Sequence, residues 1–189
     1  MEDVALKILR TYTSRYIYIM FDIIDFDKLQ LDLSNFDSRR RKNNSNKYII
    51  SNENIYTVIY NTPLDLLTFF EENAEELSNF CPGMFSVIKE NDKFKGYQTY
   101  KGESISVRNF QNYMDNNKER IIEFTKKSRY WYVDWKPDNF LLINNEMTLI
   151  DLDSFRLIGK TSTPIYKTNY WGVTIDWYIN TVNEIVNSL

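Results

Sequence analysis

Residues 132–153 constrain this chain more than any other stretch. They read Tyr-Val-Asp-Trp-Lys-Pro-Asp-Asn-Phe-Leu-Leu-Ile-Asn-Asn-Glu-Met-Thr-Leu-Ile-Asp-Leu-Asp. Phe140 to Ile143 is a short apolar run, Asn144-Asn145 is a turn signal, and Leu149-Ile150 begins a second apolar run that ends in acid. The pattern predicts a loop bearing Asp134, Lys136 and Asn139, then two strands joined by a tight turn. Residues two apart on a strand face the same side, so a second strand carried through Asp153 would present the Asp151 and Asp153 carboxylates together.

Composition narrows the chemistry available to such a loop. The 189 residues contain no histidine and a single cysteine, Cys81. Histidine general bases, Ser-His-Asp triads, internal disulfides and cysteine-built zinc sites are therefore excluded. Acid–base work falls to carboxylates, lysine or tyrosine, and metal sites must be oxygen-rich, suited to magnesium, calcium or manganese. Lys plus Arg number 23 against 26 Asp plus Glu, a net charge of −3, so no nucleic-acid partner is expected. The basic run Arg39-Arg40-Arg41-Lys42 reads as a solvated loop in Asn/Ser-rich sequence. The acidic start is unlike a signal peptide, and the apolar run from Tyr16 to Ile24 is too short to span a bilayer. A soluble, intracellular, cytoplasmic protein is the expectation.

Val4, Ile8, Leu9 and Tyr12 recur at helical spacing, and residues 16–24 read as a buried strand or a continuation of that helix. Lys47 to Ile50 and Ile55 to Tyr60 flank Ser51-Asn-Glu-Asn54 as a hairpin. Thr62-Pro63 opens a helix reaching about Phe80, with Leu64, Leu67, Phe70 and Leu77 as its apolar stripe. Met84 to Ile88 and Tyr97 to Tyr100 form a strand pair, and Phe110, Tyr113, Met114, Ile121 and Phe124 mark one long amphipathic helix. A final helix runs from about Asp176 to Val186.

An aspartate, a lysine and an asparagine in one loop, followed by an acid-ended strand, are what phosphoryl transfer requires: groups that align, neutralise and meet a phosphate with a hydroxyl. The segment resembles the catalytic loop and metal-binding strand of the protein kinase-like superfamily, with Asp134 five residues before Asn139 and Asp151 twelve residues after it. That resemblance implies an α+β, kinase-like bilobal fold. Residues 1–100 would form a small antiparallel-sheet N-lobe, and residues 101–189 a truncated, reduced helical C-lobe. It implies Asp134 and Lys136 as catalytic residues, the first taking the acceptor hydroxyl's proton and the second balancing charge on the transferring group. Lys47, Gln98, Asn139 and Asp151 would bind ATP, with Gln98 gating the adenine pocket. Asn139, Asp151 and Asp153 would hold Mg2+. One of Glu71, Glu72 and Glu75 would partner the nucleotide lysine, with at least two of the three reading as a solvated acidic face, and Asp176 would anchor the catalytic-loop backbone.

The departures from the family are as specific. Tyr132 and Val133 replace the usual histidine and arginine, and Asp153 stands where glycine is usual. The acid-x-acid ending is similar to small-molecule kinases of the aminoglycoside and choline type and to divergent kinases of the deleted-in-autism group. Thr163-Pro164-Ile165-Tyr166 only faintly echoes the peptide-positioning segment. None of the five glycines precedes Gly83, so a Gly-rich phosphate-covering loop is absent. Val4-Ala5-Leu6-Lys7 resembles the family's lysine-bearing strand, but its periodicity is helical, which leaves Lys47 as the better-placed lysine. Two functions stay open: a phosphotransferase moving the ATP γ-phosphate to a hydroxyl of a protein or small molecule, or a pseudokinase acting as a binding or scaffolding module.

Overall fold

The computed structural model describes residues 21–29, 47–159, 169–170 and 173–189. The expected N-terminal helix with Lys7, the basic run at 39–42 and the segment 163–166 lie outside the described residues. The protein is a mixed α/β structure consistent with the α+β class, built on a five-stranded sheet. Its strands are β1 (Asp22–Asp25), β2 (Lys47–Asn52), β3 (Ile55–Leu64), β4 (Met84–Glu90) and β5 (Lys93–Tyr100), in the order β1-β4-β5-β3-β2. All pairings are antiparallel except β1 with β4.

Local chemistry explains the hairpins. Asn91 and Asp92 turn β4 into β5 with φ of 51° and 55°, the left-handed pair that a two-residue hairpin needs and that Asn and Asp tolerate. Asn144 and Asn145, with φ of 51° and 65°, do the same between β8 (Phe140–Ile143) and β9 (Glu146–Leu149). Gly96 sits where β5 is flanked by β3 and β4; a Cβ there would collide with the Val58 carbonyl, so only glycine fits.

The helix expected from Pro63 to Phe80 is corrected in two ways. Pro63 belongs to β3, in a stretch where the β3–β5 register shifts between Ile59 and Leu64; at such an irregularity a missing N–H costs no ladder bond. The helix begins only at Leu67 and is interrupted at Asn73, giving α1 (Leu67–Glu72) and α2 (Ala74–Phe80). The long helix expected over Phe110 to Phe124 is likewise two, α3 (Val107–Asn116) and α4 (Lys118–Ser128). The break falls at Asn117, whose side-chain amide and backbone N–H both donate to the Tyr113 carbonyl, at 2.9 and 3.0 Å.

The chain then forms β7 (Tyr130–Tyr132), the β8–β9 hairpin, β10 (Phe155–Leu157), the short pair β11 (Asn169–Tyr170) and β12 (Val173–Thr174), and α5 (Asp176–Asn187). β10 pairs antiparallel with β7, and the two-residue β6 (Glu103–Ser104) joins the edge of β8.

Two adjacent aromatics of α1 bridge the five-stranded sheet to the β7–β10 pair. Phe70 stacks on Phe94 of β5 at 4.5 Å between centroids, while Phe69 stacks on Tyr130 of β7 at 4.2 Å and leans on Phe155 of β10 at 4.8 Å. One apolar cluster accordingly runs from Phe21 through α1, β5 and α4 to Ile185 of α5, across the 100/101 boundary. Burial of these rings joins the five-stranded sheet to the β7–β10 pair from which residues 133–139 depart, each buried aromatic removing about 150 Å² or more from water, on the order of several kcal/mol.

Candidate active site

The loop begins where β7 ends. Tyr132 is paired with Phe155 of β10, and Val133 N–H donates to the Ser154 carbonyl at 3.0 Å, so the loop starts from a fixed edge. Pro137 then opens a single 3-10 turn, Pro137–Asn139, that folds the chain back on itself. This brings Asn139, only 5% exposed, under Asp134. The Asn139 amide donates to the Asp134 carboxylate at 2.9 Å, to the Asp134 backbone carbonyl at 2.7 Å and against the Tyr132 hydroxyl at 3.1 Å. Lys136 Nζ pairs with the same carboxylate oxygen of Asp134. Asp134, Lys136 and Asn139 thus form one hydrogen-bonded group, with Asp134 still about a quarter exposed.

The acidic segment is held beside this loop. Ile150 N–H donates to the Asn139 carbonyl at 2.8 Å, and the single proton of the buried Tyr132 hydroxyl is shared between the carbonyls of Ile150 at 3.1 Å and Asp151 at 3.4 Å. Tyr132 therefore ties Asn139 to the backbone of Asp151. Burial pushes its phenol well above the ordinary tyrosine range, and the nearby Asp134 charge adds to the shift, so it stays protonated and able to donate.

The strand expected to run through Asp153 ends at Leu149. Asp151 adopts a left-handed conformation, φ 66° and ψ 48°, and Leu152–Ser154 is a 3-10 turn. The period-two rule for facing side chains does not apply here. The two carboxylates nevertheless converge, because both reach Lys47 on β2: Asp151 is its ion-pair partner, and Asp153 lies at 3.8 Å.

Lys47 stands directly opposite Tyr60 in the β2–β3 register, and its ammonium lies 5.8 Å from the centre of the Tyr60 ring. Glu71, Glu72 and Glu75, the expected partners of a nucleotide lysine, are exposed, and Glu76 pairs instead with Lys127 of α4. No protein-family model matches the chain, and no curated protein matches it.

Gln98 does not join this group. It accepts from Ser86 at 2.8 Å and donates to Thr57 at 3.1 Å, a polar row across β4, β5 and β3. Its neighbour Tyr97 points to the other face of the sheet, as alternation demands, and there its hydroxyl accepts from Asp151 N–H at 3.1 Å. Tyr97, not Gln98, is thus the β5 side chain that meets Asp151. Asp176 is also not the loop anchor: it is exposed at the first position of α5. Two residues on, the buried Tyr178 hydroxyl accepts from Tyr132 N–H at 2.7 Å, and burial pushes that phenol up to about 12.

Sequence reasoning missed Tyr60, Tyr97 and Tyr178. With 14 tyrosines in the chain, residue type alone could not single them out. The hairpin register would have placed Tyr60 opposite Lys47, and α-helical spacing would have put Tyr178, not Asp176, on the buried face of α5 with Val182 and Ile185.

The donor set suits a hard cation. Asp151 and Asp153 supply carboxylate oxygens that already converge on one positive charge, and Asn139, its NH2 engaged, has only its amide oxygen left to offer. Among the described residues no three carboxylate, cysteine or histidine side chains gather into a group that could hold a metal ion. No described helix is long and apolar enough to cross a membrane.

Proposed function

We propose that this chain is a divergent phosphotransferase of kinase-like bilobal architecture, moving the ATP γ-phosphate to a hydroxyl on a protein or small molecule. One observation carries the reading: Asp134, Lys136 and Asn139 are hydrogen-bonded together in one loop, and the Asn139 carbonyl is tied to Ile150, next to the Asp151 carboxylate that faces Lys47.

In this reading Asp134 orients the acceptor hydroxyl and takes its proton. Its geometry is set by Asn139, and its partial exposure lets an acceptor approach. Lys136, a mobile point charge two residues away, swings from Asp134 toward the phosphoryl oxygens as that proton moves. Lys47 balances charge between the Asp151–Asp153 pair and the nucleotide phosphates. Asn139, Asp151 and Asp153 would hold magnesium, which when bound neutralises charge on the phosphate oxygens.

The test begins with thermal melting of the purified chain in ATP, with and without magnesium, since a ligand that binds only the folded state raises Tm. The proposal expects a magnesium-dependent rise that Asp151→Asn abolishes. It also expects transfer of label from γ-labelled ATP that Asp134→Asn abolishes while the melting shift persists. Turnover by Asp134→Asn would refute the assigned base.

A pseudokinase is the second reading, favoured by the absence of any glycine before Gly83 to cover the phosphates. It expects either no shift, or a shift with no transfer or hydrolysis.

A further inference from the structure

Tyr60 and Tyr97 make contacts that the phosphotransfer reading leaves unused. Tyr60 on β3 and Tyr97 on β5 are 1% and 2% exposed. Lys47 pairs with Tyr60, and Val58, two residues before Tyr60, pairs with Tyr97. All therefore share one face of the sheet, the face turned toward the acidic turn. From there the Tyr97 hydroxyl accepts from Asp151 N–H at 3.1 Å. The Tyr60 hydroxyl accepts from Asp153 N–H at 3.3 Å and donates to Asp153 Oδ1 at 3.2 Å. Each phenol has one proton and two acceptor sites, so Tyr60 makes both bonds without conflict.

These bonds land on the two residues whose orientation matters most. Asp151 holds a left-handed backbone, a conformation that Asp tolerates better than most L-residues, and the Tyr97 hydroxyl accepts its N–H. Asp153 sits where a glycine would have no side chain to orient. A carboxylate there is useful to a cation only if its rotamer is fixed, and Tyr60 is within bonding distance of both its amide and its carboxylate.

We infer that Tyr60 and Tyr97 are positioning residues: two phenols of the sheet that clamp the Asp151–Asp153 turn and aim both carboxylates at one divalent cation. The inference rests on the cation site proposed above.

The probe is Mn2+ alone, its free concentration followed by electron paramagnetic resonance against the full chain, with amide hydrogen exchange at Asp151 and Asp153 as a second readout. Tyr60→Phe and Tyr97→Phe are each expected to weaken Mn2+ binding about tenfold, as loss of an outer-shell partner does. Each should also speed exchange at its own aspartate, Asp153 for the first and Asp151 for the second. Asp153→Asn retains an oxygen for the Tyr60 hydroxyl, so exchange there should stay slow while Mn2+ binding falls. This third variant also keeps the test informative should a phenol deletion unfold the chain.

Wild-type Mn2+ affinity in both Phe variants, with Asp151→Asn unable to bind, would overturn the clamp and leave the cation site standing. Wild-type affinity in Asp153→Asn would remove Asp153 from the site. Equal binding by wild type and Asp151→Asn would overturn the cation site itself, and the clamp with it.

Discussion

Replacing Tyr178 with phenylalanine removes the acceptor that anchors the start of the candidate loop. Tyr178 is 2% exposed, and its hydroxyl accepts from Tyr132 N–H at 2.7 Å in the middle of the apolar cluster. Tyr178→Phe keeps the ring and its edge contact with Trp135, so no large cavity forms. What remains is a buried backbone N–H without an acceptor, which costs about 1–3 kcal/mol. At about 2.1 cal/mol/K of unfolding entropy per residue, a chain of 189 residues unfolds with about 0.4 kcal/mol/K, so Tm should fall by about 3–8 °C.

Two controls bracket the result, read by calorimetry at one pH and protein concentration. Tyr100→Phe removes a hydroxyl from a side chain 40% exposed and should move Tm by no more than about 1 °C. Asp176→Ala removes an exposed first-turn acid of α5 and should cost only about 0.3–1 kcal/mol through the helix dipole. The ordering Tyr178→Phe well below Asp176→Ala is the decisive outcome. A Tyr178→Phe protein as stable as wild type, or an Asp176→Ala protein less stable than Tyr178→Phe, would refute the assignment of the loop anchor to Tyr178.

Lys47→Met leaves two converging carboxylates without their ammonium. With Lys47 and Asp151 about one-fifth exposed, the loss should lie between that of surface and buried pairs, about 1–3 kcal/mol, and an unchanged urea midpoint would contradict it. Cys81 is fully buried, and burial raises its thiol above the ordinary range, so it should not react with Ellman's reagent at pH 8 until the protein unfolds; rapid labelling of the native chain would refute its placement. Burial raises the phenols of Tyr60, Tyr132 and Tyr178 above their unfolded value of about 10. Their neutral forms stabilise the fold fully below that value, and this stability is lost as pH rises through and beyond it. Tyrosinate absorbance should therefore rise in two steps, the second coinciding with loss of tertiary structure. One smooth titration of every tyrosine would show that these three are not buried.

The candidate loop was legible because its information is local. Pro137, the five-residue spacing of Asp134 and Asn139 and the Asn144-Asn145 turn act over a few residues, and short-range sterics and hydrogen bonding dictate what they do. The Lys47 hairpin and the last helix were legible for the same reason, through turn chemistry and apolar periodicity. The helix interruptions at Asn73 and Asn117 were not, because the apolar spacing continues across both and only packing decides where one helix ends and the next begins.

The sequence by itself determined which groups could do chemistry here: carboxylates, lysines and phenols, with no imidazole to take a proton. It also determined that Asp134, Lys136 and Asn139 share one loop. Only the tertiary structure decided what those groups face. Whether Gln98 or Tyr97 meets Asp151 turns on which face of β5 is inward, a choice of parity set by pairing with β3 and β4 rather than by either residue. That Lys47, 104 residues before Asp151, meets that carboxylate depends on the Phe69–Phe70 bridge that seats the sheet over the loop. Such contacts arise from the burial of apolar surface summed over the whole chain, which no short stretch of sequence encodes.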